Sequence, residues 1–284
     1  MEIRSRSDIM TLEAVEFARK AVKALLPARL RAALPPVVRN APLVTRAWPI
    51  FESPLALVRH YLDRTVPPGN RIVLKNGAEL MLSGHELDIV VAFEVFCYQV
   101  YAVERDTVVV DVGANIGLFS LYAAMNGATK VYAFEPNHEA YRCMLKNIEG
   151  NALQRRIVPY RHAITSRSNE VVLIPKTASP QNRIARGSAI DDGHESVSTM
   201  SLDDIVLQHG ISRIDLLKMD CEGCEYDILG GTSASTFSRI GRVILEYHDG
   251  REGELEKTLA RHGFRLERQA AENERMGMLW FGRA

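Results

Sequence analysis

The strongest constraint on the fold is a repeated alternation of strand-like and helix-like segments that begins at Thr107. Thr107–Val112 and Lys130–Glu135 are short runs rich in β-branched, aromatic and other apolar residues, as expected for strands covered on both faces. Further strands are predicted at Arg156–His162, Ile214–Asp220, Arg242–Tyr247, Arg265–Gln269 and Met276–Phe281. Helices are predicted at Leu118–Met125, Glu139–Ile148, Leu202–His209 and Glu254–His262. This order predicts an α/β fold with a parallel, doubly wound sheet that ends in a hairpin.

The residues before Thr107 lack this rhythm. Residues 1–66 contain short helical patterns interrupted by prolines, and one helix is predicted to begin at Ser53-Pro54 because proline suits the first helical position. We therefore divide the chain into an N-terminal helical segment, residues 1–66, and an α/β domain, residues 67–284. The segment is expected to cap the core or to form a homodimer contact. A basic surface for a membrane or an acidic partner is the alternative.

Two more elements are predicted between this segment and the first strand of the sheet. Asn76-Gly77 is a strong hairpin signal, and the residues alternate in polarity over Arg71–Lys75 and Glu79–Leu82 on either side of it. A helix is predicted over Leu87–Val100.

Composition argues against several classes of protein. Basic and acidic residues balance at 35 each, whereas a dedicated nucleic-acid binder is usually strongly basic. Four cysteines are too few for a disulfide scaffold, which favours a cytoplasmic location. No apolar run approaches the roughly 18 to 20 residues that a membrane-spanning helix needs, and charged residues interrupt any signal-peptide pattern near the start. We expect no nucleic-acid partner and no transmembrane segment.

A glycine-containing loop follows the first buried strand and leads into a helix. Its sequence is Asp111-Val112-Gly113-Ala114-Asn115-Ile116-Gly117. Glycine at such a place lets the backbone turn tightly and lets a ligand approach it closely. Glu135 ends the next strand, 24 residues after Asp111, where its carboxylate can accept hydrogen bonds from both hydroxyls of a ribose. The pattern predicts a site for a nucleoside-containing ligand.

The acid at the start of this loop distinguishes between two such ligands. The nicotinamide fingerprint G-x-G-x-x-G is not matched here, and a dinucleotide pyrophosphate is disfavoured by a nearby anion. S-adenosylmethionine (SAM) carries no phosphate but has a positive sulfonium and a positive ammonium group, which Asp111 would attract. The loop therefore favours SAM over a nicotinamide cofactor.

At this point the chain resembles the FkbM family of SAM-dependent methyltransferases over about residues 86–250. The most specific element is the segment 218–225, which is similar to the family signature K-x-D-x-E-G-x-E. The resemblance implies a Rossmann-like, seven-stranded class I methyltransferase sheet and O-methylation of natural products such as macrolides, or of saccharides. The cofactor-binding residues are expected to be Asp111, Gly113, Ala114, Asn115, Gly117, Glu135, Pro136, Asn137 and Ala163.

Four candidate catalytic residues follow neighbouring strands of the predicted sheet. Lys218, Asp220 and Glu222 lie at or just after one strand end, and His248 follows the next strand. Because ligands bind beyond the carboxyl ends of parallel strands, these side chains are expected at the same mouth as the glycine loop. Asp220 or His248 would accept the proton of the attacking hydroxyl, and Lys218 would lower the hydroxyl pKa or pair with an acid.

Further residues are candidates for contact with the substrate or with a metal ion. Glu94 and Tyr101 lie seven residues apart and are expected to share one helical face on the wall of the substrate pocket, near Glu246. Carboxylates at Asp220, Glu222 and Glu246 would suit Mg²⁺, which is the alternative to a metal-free site. A buried network of ion pairs is the structural explanation for the same acids.

Two remaining features have competing interpretations. Residues 176–195 are rich in proline, glycine and polar residues, and are predicted to be a surface loop that acts as a lid or is disordered. Cys221 and Cys224 form a C-x-x-C spacing, but without a second pair they are interpreted as incidental thiols rather than as a redox pair or a zinc site.

Three other functions compete with small-molecule O-methylation. They are an NAD-type oxidoreductase, a non-catalytic protein that uses the SAM fold to bind a partner, and an RNA methyltransferase. The missing G-x-G-x-x-G motif argues against an oxidoreductase. The acids around Lys218 argue against a non-catalytic protein, and the neutral net charge argues against an RNA methyltransferase.

Overall fold

A seven-stranded sheet forms the centre of the fold in the computed structural model, which describes residues 41–177 and 193–284. Its strands are β3 (Val108–Val112), β4 (Lys130–Phe134), β5 (Ile157–Tyr160), β9 (Ile214–Met219), β10 (Ile240–Tyr247), β11 (Phe264–Ala271) and β12 (Gly277–Arg283). The spatial order is β11-β12-β10-β9-β3-β4-β5. The pairs from β10 to β5 are parallel, whereas β12 is antiparallel to both of its neighbours. The predicted seven-stranded α/β sheet and its terminal hairpin are confirmed.

The strand order reverses between β3 and β9. The chain builds β3, β4 and β5 outward in one direction, then returns to place β9 on the other side of β3 and β10 beyond it. The carboxyl ends of β3 and β9 therefore diverge into a crevice, which is where open α/β sheets bind ligands. The middle strands are buried because helices cover both faces, as Val109 and Val110 at 0% exposure show.

The remaining elements of the described chain surround this sheet. The helices are α1 (Ala41–Ala47), α2 (Pro54–Asp63), α3 (Asp88–Ala92), α4 (Leu118–Met125), α5 (His138–Gly150), α6 (Leu202–Gln208), α7 (Glu225–Gly231), α8 (Ala234–Phe237) and α9 (Glu252–Arg261). The other strands are β1 (Arg71–Val73), β2 (Glu79–Met81), β6 (Ala163–Ile164), β7 (Val171–Pro175) and β8 (His194–Met200). Within these residues, none of the helices combines the length and the apolar character that a bilayer crossing requires.

The described part of the N-terminal segment packs on the same core as the sheet. Helix α2 begins at Pro54, as predicted, and Tyr61 stacks on Phe93 with ring centroids 4.4 Å apart. Phe51 is 1% exposed and its backbone bridges to Leu74 beside the hairpin. Residues 1–40 lie outside the described residues, so the boundary at residue 66 and the homodimer contact remain predictions.

The helix predicted over Leu87–Val100 is shorter and less regular than expected. Helix α3 covers Asp88–Ala92, a π-helical turn continues it over Phe93–Tyr98, and Gln99 ends it with a left-handed φ of 49°. The prediction that Tyr101 lies on this helix is therefore wrong. The apolar residues of the segment fit both an α-helical and a π-helical turn, so their spacing did not locate the change.

A second sheet lies beside the main one and was not predicted. It has three strands in the order β6-β8-β7, with β6 and β8 parallel and β7 and β8 antiparallel. The predicted loop 176–195 is too long at its end, because β8 begins at His194. Residues 178–192 of that loop lie outside the described residues. Strand β8 reads His-Glu-Ser-Val-Ser-Thr-Met, a polar sequence with little β-branched content, so its strand signal is weak. Helices α7 and α8 were also not predicted.

Asn147 joins three elements at one fully buried side chain. Its amide oxygen accepts a hydrogen bond from the Met81 backbone N–H at 2.6 Å, and its amide nitrogen donates to the carbonyl oxygens of Met81 at 2.9 Å and Ile116 at 2.8 Å. The side chain thereby ties hairpin β1–β2 to helix α5 and to the glycine loop.

We expect Asn147→Ala to lower the free energy of unfolding by at least about 2 kcal/mol, because the buried groups of Met81 and Ile116 lose their partners. Urea denaturation of the apoprotein measures this change. The control is Asn126→Ala, which removes an exposed side chain whose amide contacts the Tyr122 carbonyl. Equal destabilisation by the two substitutions would contradict the assigned role of Asn147.

Candidate active site

A cavity opens at the carboxyl ends of β3, β4 and β9. Its volume is about 1000 Å³, including its opening to solvent. The wall is formed by the glycine loop at 112–116, the end of β4 at 134–137, residues 162–164, the loop 218–224 and one side of helix α3. The cavity lies at the reversal of strand order, as expected for a ligand site in this kind of sheet.

The glycine loop approaches the loop after β9 so closely that one glycine is obligatory. Gly113 has a φ of 73°, and a Cβ at that position would lie 1.9 Å from the carbonyl oxygen of Asp220. Gly113, Ala114 and Asn115 line the cavity, and Asn115 also has a positive φ of 50°. These three predicted cofactor residues are therefore brought together on the cavity floor.

Gly117 has a role in helix packing and not in the cavity wall. It does not line the cavity, and a Cβ there would lie 2.7 Å from Cγ of Met144. Its φ of 83° and its lack of a side chain allow helices α4 and α5 to pack closely.

Glu135 presents a carboxylate at the end of β4. Its two oxygens accept hydrogen bonds from the backbone N–H groups of Asn115 at 2.7 Å and Asn137 at 2.8 Å. Burial raises the pKa of Glu135 to about 7, although these two hydrogen bonds oppose the change. Each carboxylate oxygen can accept a further bond, so the group suits a pair of ligand hydroxyls.

The other predicted cofactor residues near Glu135 differ in their roles. Pro136 and Ala163 line the cavity. Asn137 also reaches the wall, but its side-chain oxygen caps helix α5 by accepting from Ala140 N–H at 2.9 Å. Its amide nitrogen donates to the Pro175 carbonyl at 2.7 Å and so ties the end of β7 to the site. Asn137 therefore shapes the cavity with groups that are already hydrogen-bonded.

Asp111 lies beneath the glycine loop and not on the cavity wall. It is completely buried, its Oδ1 is 3.1 Å from the Lys218 ammonium, and its Oδ2 accepts a hydrogen bond from Ser120 at 2.6 Å. The expectation that Asp111 faces a cationic ligand does not match this position. Its charge is already compensated, because Lys218 is its cross-strand neighbour.

Lys218 lines the cavity, but its ammonium group is already bound by protein groups beneath the glycine loop. It donates to the Gly113 carbonyl oxygen at 2.7 Å and pairs with Asp111. Burial favours the neutral amine, but Asp111 and Asp220 outweigh that effect and raise the Lys218 pKa above its usual value. Of the two roles predicted for Lys218, pairing with an acid is the one that the geometry satisfies.

Asp220 follows β9 and Glu135 follows β4, so the two acids lie on either side of the glycine loop that follows β3. The Tyr101 hydroxyl donates to Asp220 Oδ2 at 3.4 Å, and the Lys218 ammonium lies 3.9 Å from the same oxygen. Burial and the adjacent carboxylate of Asp220 raise the pKa of Glu246 to about 10, so Glu246 is protonated at neutral pH. Asp220 and Tyr101 line the cavity, whereas Glu246 stands behind Asp220.

Glu94 and Tyr101 both reach the cavity, although they do not share a helical face. Glu94 lies in the π-helical turn, and Tyr101 follows the left-handed Gln99 that ends it. Glu94 is accessible through the cavity opening but is surrounded by protein. Desolvation, followed by repulsion from Asp220, raises its pKa to about 7.

His248 lies behind the loop 220–225 and does not line the cavity. It is completely buried, with Nε2 3.3 Å from Glu222 Oε2 and Nδ1 3.2 Å from Glu225 Oε1. Burial would lower its pKa, but the two carboxylates outweigh burial and raise the pKa to about 10. A protonated imidazolium cannot accept a proton, so the candidate role of His248 as general base is not met. Its charge instead compensates the loop acids.

Glu222 and Glu225 flank His248 but face different surroundings. Glu222 lines the cavity, and its positive φ of 57° turns the loop there. Glu225 is completely buried, and its Oε1 accepts from the backbone N–H groups of Cys221 at 3.2 Å and Gly223 at 3.3 Å. Glu225 is a structural acid that holds the shape of the loop.

The alternative of a Mg²⁺ site at Asp220, Glu222 and Glu246 is not supported by the arrangement of these side chains. Among the described residues, the side chains whose ligand atoms lie within 4.8 Å of one another are Asp220, Glu246 and His248. Glu222 is directed to His248, with Oε2 3.3 Å from Nε2, and is not part of this cluster. The residues present do not fit Mg²⁺, whose ligands are oxygen atoms in octahedral geometry.

Several residues on the cavity wall were not among the predicted site residues. Asp88, Val91 and Val95 line the cavity at positions spaced by three and four along the helix, a spacing that a helical projection would have placed beside Glu94. His162 also lines the cavity, and burial lowers its pKa.

Cys221 and Cys224 form a disulfide, so their interpretation as incidental thiols is wrong. Their Cα atoms are 5.6 Å apart, and both residues line the cavity beside Glu222. The positive φ values of Glu222 and Gly223 curl the loop so that the two sulfurs meet. Cys97 and Cys143 are buried and remain free.

We expect a thiol reagent to titrate two thiols per chain under denaturing, non-reducing conditions and four after reduction, because Cys221 and Cys224 are bonded. Chromogenic disulfide exchange measures the number. The double variant Cys221→Ser/Cys224→Ser should give two thiols in both conditions. Four thiols without reductant would contradict the bonded pair.

The pKa of His248 predicts a pH dependence of stability. Because this pKa is raised in the folded protein to about 10, the stabilisation is fully present below the unfolded value of about 6.5 and is lost as pH rises toward 10. We expect the difference in unfolding free energy between the wild type and His248→Gln to shrink over this range. Denaturation at pH 6, 8 and 10 measures it, and a constant difference would count against a buried imidazolium.

Comparison with known proteins identifies the family. The sequence model described as Methyltransferase FkbM domain matches residues 111–266, which is more than half of the 284 residues. The 31-O-demethyl-FK506 methyltransferase FkbM of Streptomyces tacrolimicus is 27% identical over 232 residues, covering 70% of this chain and 87% of the relative.

Two other relatives match over smaller shares of their own length. AMB antimetabolite synthetase AmbE of Pseudomonas aeruginosa is 27% identical over 248 residues, which cover 72% of this chain and 12% of AmbE. Hexuronic acid methyltransferase AglP of Haloferax volcanii is 27% identical over 147 residues, covering 52% of this chain and 58% of AglP. Together with the matched family model and the seven-stranded sheet, these similarities identify the chain as a member of the FkbM family of SAM-dependent methyltransferases.

Proposed function

We propose that this protein transfers the methyl group of SAM to a hydroxyl group of a small molecule, either a natural product or a saccharide. The observation that carries the proposal is a single cavity with two different ends. Glu135 stands at one end, Asp220 with Tyr101 at the other, and the glycine loop lies between them. The first end suits a nucleoside and the second suits a hydroxyl that must lose a proton.

The nucleoside end supports a role for Glu135 in holding the ribose of SAM. The two backbone N–H groups that bond to its carboxylate orient both oxygens, so they can receive the ribose hydroxyls without rearrangement. Gly113, Ala114 and Asn115 leave room for close approach to the backbone, and Ala163 provides apolar surface beside His162 for the base. SAM supplies an electrophilic methyl group on a positively charged sulfur.

The other end supports a role for Asp220 as general base. An alcohol is a weak nucleophile at neutral pH, and a carboxylate positioned against its proton assists the attack. Burial and the neighbouring Asp220 carboxylate keep Glu246 protonated, so Glu246 can donate a hydrogen bond to Asp220 and help to hold it in place. The Tyr101 hydroxyl contacts Asp220 and fixes the orientation of its carboxyl group.

These roles account for every bond formed and broken and for the proton. The new bond joins the acceptor oxygen to the methyl carbon, the bond between that carbon and sulfur breaks, and the hydroxyl proton passes to Asp220. The products are a methyl ether and S-adenosylhomocysteine, whose sulfur is uncharged. Loss of positive charge from the cavity favours release, because the acids there attract the cationic donor more than the neutral product.

The named activities of relatives support the class of acceptor. One relative is a 31-O-demethyl-FK506 methyltransferase, another is a hexuronic acid methyltransferase, and a third, from Sinorhizobium fredii, is the 2-O-methyltransferase NoeI. The acceptors named for the first two are different molecules. We therefore propose the class of acceptor, a hydroxylated small molecule, rather than one compound.

We expect Asp220→Asn to lower the rate of methyl transfer by roughly 100-fold or more, because an amide cannot accept the proton. Transfer of a labelled methyl group from SAM to a panel of macrolide, glycoside and nucleoside alcohols measures this rate. SAM affinity of the same variant is measured by calorimetry, and we expect it to change much less than the rate.

The matched control is Asp106→Asn, an exposed residue with a φ of 58° at the amino end of β3, remote from the cavity. Its rate should equal that of the wild type, and EDTA should leave both rates unchanged. An Asp220→Asn enzyme as active as the control would overturn the role of Asp220. Tight SAM binding without transfer to any hydroxyl would overturn the acceptor class but not the family.

A further inference from the structure

Asp88 is a buried carboxylate on the cavity wall that the methyl-transfer scheme does not use. It begins helix α3 and is 1% exposed, yet it lines the cavity together with Val91 and Val95 on the same side of the helix. A charged side chain this deeply buried is rare unless it has partners. The hydrogen bonds of its two carboxylate oxygens within the described chain therefore show which oxygen lacks a partner.

One oxygen of Asp88 is saturated and the other is free. Oδ2 accepts hydrogen bonds from the Ser83 backbone N–H at 2.6 Å, the Ser83 hydroxyl at 2.8 Å and the Gly84 N–H at 3.3 Å. Oδ1 is buried and has no hydrogen-bond partner among the described residues. Leaving a buried acceptor unpaired costs free energy. Because Asp88 lines the cavity, a ligand bound there can supply the missing donor.

Oδ1 of Asp88 offers an unpaired acid oxygen to a cationic ligand, which Asp111 does not. The positive groups of SAM need a nearby acid, but the Asp111 carboxylate is paired with Lys218 below the floor of the cavity. At the nucleoside end, Glu135 receives the ribose in the proposed function. Asp220 already contacts Tyr101 and stands at the acceptor end.

We propose that Oδ1 of Asp88 accepts a hydrogen bond from the α-ammonium group of SAM and so positions the methionine part of the cofactor. This inference rests on the proposed function, because it takes SAM as the ligand of the cavity. Burial raises the pKa of Asp88 because it penalises the charged form, and a bound cation would offset that penalty. Helix α3 thereby becomes part of the cofactor site, although it precedes the glycine loop.

The test uses Asp88→Asn, which has the same shape. Its amide oxygen can keep the hydrogen bonds from Ser83 and Gly84, while its NH₂ group replaces the free acceptor with a donor. Calorimetry compares two ligands on the wild type and the variant. S-adenosylhomocysteine carries the ammonium group, whereas methylthioadenosine lacks the whole amino-acid part but keeps the ribose and the adenine.

We expect Asp88→Asn to weaken the binding of S-adenosylhomocysteine by roughly 10- to 100-fold, the range for a hydrogen bond between charged groups. The affinity for methylthioadenosine should be unchanged. Equal weakening of both ligands would overturn the assignment to the ammonium group, because it would indicate contact with the nucleoside. Unchanged affinity for both would overturn any contact with the cofactor.

Two further variants separate binding from folding. Ser83→Ala removes one contact to Oδ2 but leaves Oδ1 untouched, so its affinity for both ligands should equal that of the wild type. If Asp88→Asn does not fold, Asp88→Ser keeps an acceptor for the Ser83 N–H and shortens the side chain away from the cavity. The same selective loss is then expected for Asp88→Ser. A wild type that binds neither ligand would refute the proposed function itself, a result distinct from every outcome above.

Discussion

The buried ion pair between Asp111 and Lys218 is the interaction on which the site depends. The two residues are cross-strand neighbours on β3 and β9, and the strand order reverses between these strands. Lys218 also donates to the Gly113 carbonyl, so the glycine loop is fixed to β9 from below. Removal of one partner of such a pair leaves an uncompensated buried charge and typically costs about 3 to 5 kcal/mol. The crevice therefore has a fixed shape before any ligand arrives.

The acids around the cavity divide into two groups according to whether a cation compensates them. Asp111 is held by Lys218, and Glu225 by the imidazolium of His248, so both are structural. Glu135 and Glu94 have raised pKa values and open into the cavity. Carboxyl groups that are buried or crowded in this way bind a cationic ligand favourably, because the ligand relieves both desolvation and repulsion. A positively charged methyl donor matches that requirement.

Local constraints fix the shape of the loop between β9 and α7, which lies within the signature segment 218–225. The Glu225 carboxylate accepts from two backbone N–H groups within the loop, a disulfide joins Cys221 to Cys224, and Glu222 adopts a left-handed conformation. These local constraints direct Asp220 and Glu222 toward the cavity while His248 remains behind them. This five-residue loop, 220–224, thus separates residues that face the cavity from residues that hold the loop in shape.

The sequence by itself determined which segments form the strands of the main sheet, the position of the glycine loop and the acids at the strand ends. Continuous β-branched runs have few alternatives to a buried strand, and Leu118–Met125 was predicted with its observed bounds. The sequence did not reveal the small sheet β6-β8-β7, because polar strands such as β8 are specified by their pairing partners rather than by their own pattern. Only the tertiary structure decided which acids face the cavity: Asp111 is paired below it, Asp88 lies on its wall with a free oxygen, and His248 is enclosed by two carboxylates. The physical reason is that pairing and burial depend on the packing of distant segments, whereas strand and helix patterns are local.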